Sequence, residues 1–323
     1  MHDTAEATET IRVGISACLL GQKVRYDSGH KRDHYITQVL GEFFEFVPVC
    51  PEFEVGMGIP REAVRLVGSI EAPRMIGTAT GADWTERMRR YNAERLARSD
   101  LENLSGYLLK KDSPSCGMER VKVYRSDGGM PEKKGSGLFA AALKARFPLL
   151  PIEEEGRLGD ARLREGFIVR VFAYHRLRAL FAGRLKPRDL VAFHTRHKMQ
   201  LLAHSPTRYR ELGRIVATHD KYAPAELRDE YAELFMTALA ERATHRKHAN
   251  VLQHMIGHLR DHLAADERAE LVTLIDDYRR ELIPLIVPLT LIRHHADRHA
   301  VAYLRDQVYL RPHPKEMRLL NHV

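Results

Sequence analysis

The sequence predicts an α/β amino-terminal domain with a mainly parallel sheet, followed by an all-α carboxyl-terminal domain. Three observations predict it. Across residues 11–152, short apolar runs of strand length alternate with stretches of helical periodicity, the signature of βαβ units. Beyond about residue 161, strand patterns almost vanish and segments of period 3.6 follow one another. Third, each of the three cysteines ends or closely follows a strand-like run. Ligands of open α/β sheets bind beyond the carboxyl ends of the strands, so Cys18, Cys50 and Cys116 can converge on one place.

The elements are read in order. Residues 11–17 and 46–49 are buried-strand patterns. Residues 85–105 are helical, with Met88, Tyr91, Leu96, Leu101 and Leu104 inward. Residues 107–110 and 121–124 are short strands. Gly135-Ser136-Gly137 opens a helix over 138–147, read as a plain helix start rather than an anion cradle. Residues 149–152 form the last short strand. Helices follow over 188–204, 207–218, 224–263, 266–282 and 299–309. Pro284 and Pro288 break or kink the stretch 283–292. The resulting division is a flexible tail (1–10), an α/β domain (11–160), a linker or connecting helix (161–179) and a helical domain (180–323).

Charged residues make up 29% and apolar residues 44% of the 323, enough to bury a core. No apolar run reaches the ~18 residues of a membrane span. The polar, acidic start has no signal-peptide core, and three cysteines do not make a secreted disulfide framework, so cytoplasm is the expected location. The net charge of +8 is uneven: residues 1–170 hold 26 Lys and Arg against 25 Asp and Glu, residues 171–323 hold 25 against 18. Fifteen of the 18 histidines also follow residue 174. A basic second half favours a polyanionic partner, nucleic acid first, with a merely solvated basic surface as the equal alternative from charge alone.

Three thiolates fill three corners of a 4Fe–4S cluster and leave one iron open for chemistry. Zinc with an open fourth position, a lone catalytic thiol and inert core thiols are the alternatives. Glu52 lies two residues after Cys50, and Ser113 three before Cys116. Beside a Lewis acid they would relay protons; otherwise Glu52 is a helix-start acid and Ser113 a turn residue. Arg25 is a candidate anion holder with Asp27 as its anchor, a polar turn being the equal alternative, and Lys110 and Lys111 are candidates to face a phosphate. His254, His258 and His262 stand at i, i+4 spacing, which can bind a metal, but surface, capping or phosphate-contact roles are favoured.

The motifs Ile15-Ser16-Ala17-Cys18-Leu19-Leu20-Gly21, Arg25-Tyr26-Asp27, Pro48-Val49-Cys50-Pro51-Glu52 and Ser113-Pro114-Ser115-Cys116-Gly117 together resemble the thiouracil desulfidases (TudS family) over about residues 11–152. The resemblance implies a Rossmann-like α/β fold and a 4Fe–4S cluster held by Cys18, Cys50 and Cys116 with one open iron. It places Glu52 and Ser113 at the acid/base and assisting positions; Ser16, Arg25, Asp27, Lys110 and Lys111 are the candidate substrate-binding residues beside them. Asp27-Ser28-Gly29 and the loop from Glu52 to Gly58 depart from the family pattern. In the second half, His194-Thr195-Arg196-His197-Lys198, Leu202-Ala203-His204-Ser205-Pro206, Arg246-Lys247-His248-Ala249-Asn250-Val251-Leu252-Gln253-His254 and the segments at Ile283 and Gln307 resemble the YbgA-like helical domain. The fusion resembles the tRNA 4-thiouridine desulfidases (RudS type), which implies tRNA containing 4-thiouridine as substrate and partner. Lys198, Arg246, Lys247 and Arg293 are the candidate tRNA backbone contacts. A desulfidase of free thiouracil, and a nucleic-acid-binding protein with a structural or sensing cluster, remain the alternatives.

Overall fold

The computed structural model describes residues 10–317 and 319–321, so the expected tail lies, apart from Thr10, outside the described residues. The chain forms two compact units, one ending at Phe167 and the other starting at Ile168.

The first unit is built on a fully parallel sheet of four strands, β1 (Ile11–Ser16), β2 (Phe44–Val49), β5 (Gly106–Leu109) and β8 (Ile152–Glu154), in the order β2-β1-β5-β8. Strand β1 is central, and Val13 and Ile15 are fully buried, as expected where helices cover both faces of a parallel sheet. A second, mixed sheet was not legible in the sequence. It joins β3 (Val64–Val67), β4 (Arg74–Gly77), β6 (Val121–Tyr124) and β7 (Glu132–Gly135) in the order β4-β3-β6-β7. Only β3 and β6 run parallel there. Its apolar face packs Leu66, Met75, Val121 and Val123 around Met88.

The helices of this unit are α1 (His34–Gln38), α2 (Thr85–Leu96), α3 (Ser99–Glu102) and α4 (Leu138–Arg146). The predicted helix over 85–105 is therefore two, α2 and α3. A single helix, α5 (Ala161–Phe181), runs through the segment read as a linker and crosses from one unit to the other.

The second unit contains no strand among the described residues. Its helices are α6 (Pro187–His204), α7 (Pro206–Ala217), α8 (Pro224–Ala240), α9 (His245–Leu259), α10 (Ala265–Arg279), α11 (Ile286–Arg298) and α12 (Ala302–Arg305). Prolines open α6, α7 and α8 at first-turn positions, where the missing N–H costs nothing. Three expectations are corrected. The helix predicted over 224–263 stops at Ala240 and restarts at His245, where the Thr244 hydroxyl caps α9 by accepting the Lys247 N–H. No Gly or Pro marks this break; tertiary contacts make it, with the Glu241 carbonyl bonded to His204 Nδ1 at 2.7 Å. Pro288 does not break its helix, because it falls in the first turn of α11. The helix predicted over 299–309 reduces to α12 and a 3₁₀ turn at Val308–Leu310. No helix of the described residues is long and apolar enough to cross a membrane.

Several histidines of this unit are core residues. His197 is 1% exposed, stacks on Phe193 at 4.0 Å and bonds the Phe193 carbonyl. His194 stacks on Tyr209 and shares a 3.2 Å hydrogen bond with the Tyr231 hydroxyl. Burial lowers the pKa of His197 to about 3 and that of His194 to about 4, where the nearby Lys198 charge adds to the effect. Both are therefore neutral in the fold, while the unfolded chain takes up protons below about pH 6.5. A depressed histidine pKa makes stability full above the unfolded value and lost as pH falls towards the folded one. Each group accounts for on the order of 3 kcal/mol of acid destabilisation. The expected result is a urea midpoint, followed by helical circular dichroism, that falls steadily from about pH 6.5 to pH 4; a flat midpoint across that window contradicts the burial argument.

Candidate active site

The strand order does what the cysteine positions required. In the β1–β2 register Ser16 pairs with Val49, so Cys50, the next residue, emerges beside the turn that carries Cys18. Strand β5, on the other side of β1, ends at Leu109 and leads into the loop that carries Cys116. All three thiols line one cavity of about 360 Å³ at the carboxyl edge of the parallel sheet.

Each loop is fixed locally. Gly21, at φ +92, closes the first by returning its N–H to the Cys18 carbonyl, a left-handed conformation that costs glycine little. The second is anchored by Glu54, whose carboxylate accepts the Cys50 N–H at 2.9 Å and the Tyr91 hydroxyl at 2.8 Å. The third is folded by Ser113, whose hydroxyl accepts the N–H groups of Ser115 and Cys116. That loop also settles the role of Gly135-Ser136-Gly137. The first N–H groups of α4 donate to the carbonyls of Pro114 and Ser115, so the helix start is occupied by the cysteine loop and holds no anion. A Cβ at Gly137 would stand 2.4 Å from the Ser115 carbonyl oxygen, which is backbone and cannot yield. Gly137→Ala is therefore expected to displace the Cys116 loop and cost about 1–3 kcal/mol of stability; an unchanged melting temperature would show that the loop tolerates the shift.

Burial raises all three thiols: Cys18 to about 11, and Cys50 and Cys116 also upward, with Cys116 the most affected. The Ser16 hydroxyl beside Cys116 opposes the rise without cancelling it. A free thiol so protonated is a poor nucleophile, which disfavours the lone catalytic cysteine. A metal centre reverses the balance, because ligation deprotonates the thiol. The three cysteines line one cavity, and a multinuclear iron–sulfur cluster suits this all-sulfur, soft donor set.

Glu52 sits in the same cavity, and the structure gives it partners that the sequence did not. Its Oε2 accepts the Arg61 guanidinium at 2.8 and 3.2 Å, and its Oε1 accepts the Ser115 hydroxyl at 2.7 Å and the Ser113 hydroxyl at 3.4 Å. Arg61 is 5% exposed in its side chain and also donates to the carbonyls of Gly58 and Val24. Ser115 was visible in the motif but passed over for Ser113. It is the closer hydroxyl to the carboxylate, and its Oγ lies 3.7 Å from the Cys116 sulfur. Arg61 had no signal, since it reaches the cavity from the segment that leads into the unforeseen second sheet.

The remaining candidates divide. Ser16 is buried and accepts the Lys110 N–H at 3.0 Å, tying β1 to the end of β5. Arg25 lines the cavity with Asp27 at 3.4 Å as its ion partner, and the Gly29 N–H holds the Asp27 pKa down. Lys110 lines the cavity, but its ammonium is paired with Glu155 at 2.5 Å, so the expected free phosphate contact is not what the structure offers. Lys111 is exposed at the rim, its N–H bound to Glu155. In the helical unit Lys247 caps the carbonyls of His204 and Arg242. Lys198 lies over the Tyr303 ring, Arg246 is exposed at the start of α9, and Arg293 is half-buried on α11. His258 packs on Tyr303 rather than joining His254 and His262 around an ion.

A parallel α/β unit with buried thiols and a fixed carboxylate at its carboxyl edge defines a metallocentre-type enzyme domain. Comparison with known proteins makes this specific. Residues 13–155 match the family described as 2-thiouracil desulfurase, and residues 198–314 match a protein of unknown function, DUF1722. The chain is 35% identical to the uncharacterized protein YbgA of Escherichia coli K12 over 159 residues, 49% of this chain and 94% of that protein. It is 33% identical to the uncharacterized protein YbbK of Bacillus subtilis 168 over 135 residues, 40% of this chain and 87% of that protein. Among solved structures, a 4Fe-4S-dependent thiouracil desulfidase TudS is 27% identical, covering 48% of this chain and 98% of its own, with a TM-score of 0.38. The chain belongs with the YbgA and YbbK relatives, and it joins a domain that matches the 2-thiouracil desulfurase model over residues 13–155 to a DUF1722 domain over residues 198–314.

Proposed function

We propose that the protein is a 4Fe–4S-dependent, non-redox desulfidase that converts 4-thiouridine in tRNA to uridine and releases sulfide. The observation that carries this reading is the placement of Cys18, Cys50, Cys116 and Glu52 around one cavity at the sheet edge. Three cysteines hold the cluster. When bound, it supplies a Lewis-acidic open iron suited to a soft thiocarbonyl sulfur. The chain's own groups do the proton work. Glu52 takes a proton from the attacking water, held in orientation by Arg61 and by the Ser115 hydroxyl. Ser113 assists at the ring and keeps the Cys116 loop folded. The buried walls exclude bulk water from the thiobase.

The α/β unit is the catalytic domain in this reading, and the helical unit is the RNA-binding one. The excess of 25 basic over 18 acidic residues in 171–323 supports a polyanionic substrate. A desulfidase of free thiouracil is the second reading, favoured by the family's own description. The deciding experiment incubates the reconstituted protein anaerobically with 4-thiouridine-containing tRNA and, separately, with free thiouracil. Products are followed by mass spectrometry. Cluster-dependent uridine formation in tRNA, lost on deletion of residues 171–323 while free-base turnover persists, is the expected result. Turnover of the free base alone would overturn the tRNA assignment.

A further inference from the structure

Outside the thiol cavity, the helical unit brings together three side chains that no sequence pattern had singled out. Glu267 on α10, His295 on α11 and His299 at the carboxyl cap of α11 present ligand atoms that all lie within 4.8 Å of one another. We propose that Glu267, His295 and His299 form a second metal site, which takes a divalent ion of the zinc class and pins α10 to α11.

The chemistry of the donors fits. Two imidazoles at i and i+4 on one helix face, with a carboxylate from a neighbouring helix, are a nitrogen–oxygen set of the type zinc accepts. His295 is 3% exposed and its Nδ1 makes no hydrogen bond; the Nε2 of His299 is likewise buried without one. Buried polar atoms are nearly always satisfied, so two such atoms in one cluster call for a ligand. Glu267 is already oriented. One oxygen accepts the Ala264 N–H at 3.0 Å, capping α10, and the other accepts Arg298 at 3.1 Å, leaving lone pairs on both. The Arg298 charge opposes a cation, and its ion pair with the Glu267 carboxylate at 3.1 Å offsets part of that charge. The His262 ring, in the turn after α9, stacks on His299 with ring centroids 5.6 Å apart.

The test uses the full chain, loaded with zinc and desalted, and reads zinc X-ray absorption together with metal content. The expected result is zinc in a shell of nitrogen and oxygen at about 2.0–2.1 Å, distinct from sulfur at about 2.3 Å in the cysteine cavity. Zinc should also raise the melting temperature of the helical unit. In His299→Ala and in Glu267→Gln, which changes no packing volume, the nitrogen–oxygen shell should fall at least about tenfold in affinity. Zinc that is not retained, a sulfur shell alone, or a nitrogen–oxygen shell unchanged in both variants would each overturn the proposal.

Discussion

Replacing any one of Cys18, Cys50 and Cys116 by alanine is expected to remove iron and activity together, with turnover falling to the uncatalysed background. Three ligands leave no redundancy, because a cluster held at two corners is exposed to exchange. The cavity offers no soft substitute: the nearby hydroxyls of Ser16 and Ser115 are hard donors already engaged in hydrogen bonds. Cys116, 6% exposed and surrounded by the loop that Ser113 folds, is the most enclosed of the three. Losing a buried thiol costs about 1–2 kcal/mol, too little to unfold the chain. Circular dichroism should therefore stay native while the iron content and the cluster's visible absorption vanish. Full turnover in any of the three variants would remove that cysteine from the ligand set.

Glu52→Gln is expected to keep the cluster and lower kcat by about 10²–10⁴, the range for removing a positioned general base. The isostere preserves packing and can still meet Ser115, so the loss reports the missing charge and proton acceptor. It also strands Arg61, 5% exposed in its side chain, without its counterion. Some destabilisation is therefore expected alongside the rate effect. Arg61→Met separates the two: the carboxylate remains but is no longer held at its Oε2, so the fall in kcat should be smaller. The readout is single-turnover kinetics at matched iron content. A Glu52→Gln rate equal to wild type would leave the carboxylate as a structural partner of Arg61 and nothing more.

The parts that were legible in the sequence rest on local signals. Strands β1 and β5 are continuous apolar runs, and the helical period of the second half is strong. The second sheet was not legible because β3, β4 and β7 are four residues each and β7 is Glu132-Lys133-Lys134-Gly135, with no apolar alternation. Such strands exist only through their pairing, β4 on β3 and β3 and β7 on β6, and pairing at long range leaves little local trace. The cost of missing that sheet was Arg61, which enters the cavity just before β3. The helix break between Ala240 and His245 was hidden for the same kind of reason. Glu241 is turned outward by His204, Ser205 and Arg208, residues more than thirty positions away.

By itself, the sequence determined that three thiols stand at the ends of strands in an α/β domain and that a basic helical domain follows. Strand order in a parallel sheet follows from crossover connections, and these carry a periodic signal along the chain. Only the tertiary structure decided which carboxylate oxygen meets which hydroxyl, that Lys110 is matched by Glu155, and that His295 and His299 converge with Glu267 instead of His254 with His258 and His262. Those outcomes depend on how segments far apart in sequence pack, and the energy of a side-chain contact is set by partners that only the folded chain supplies.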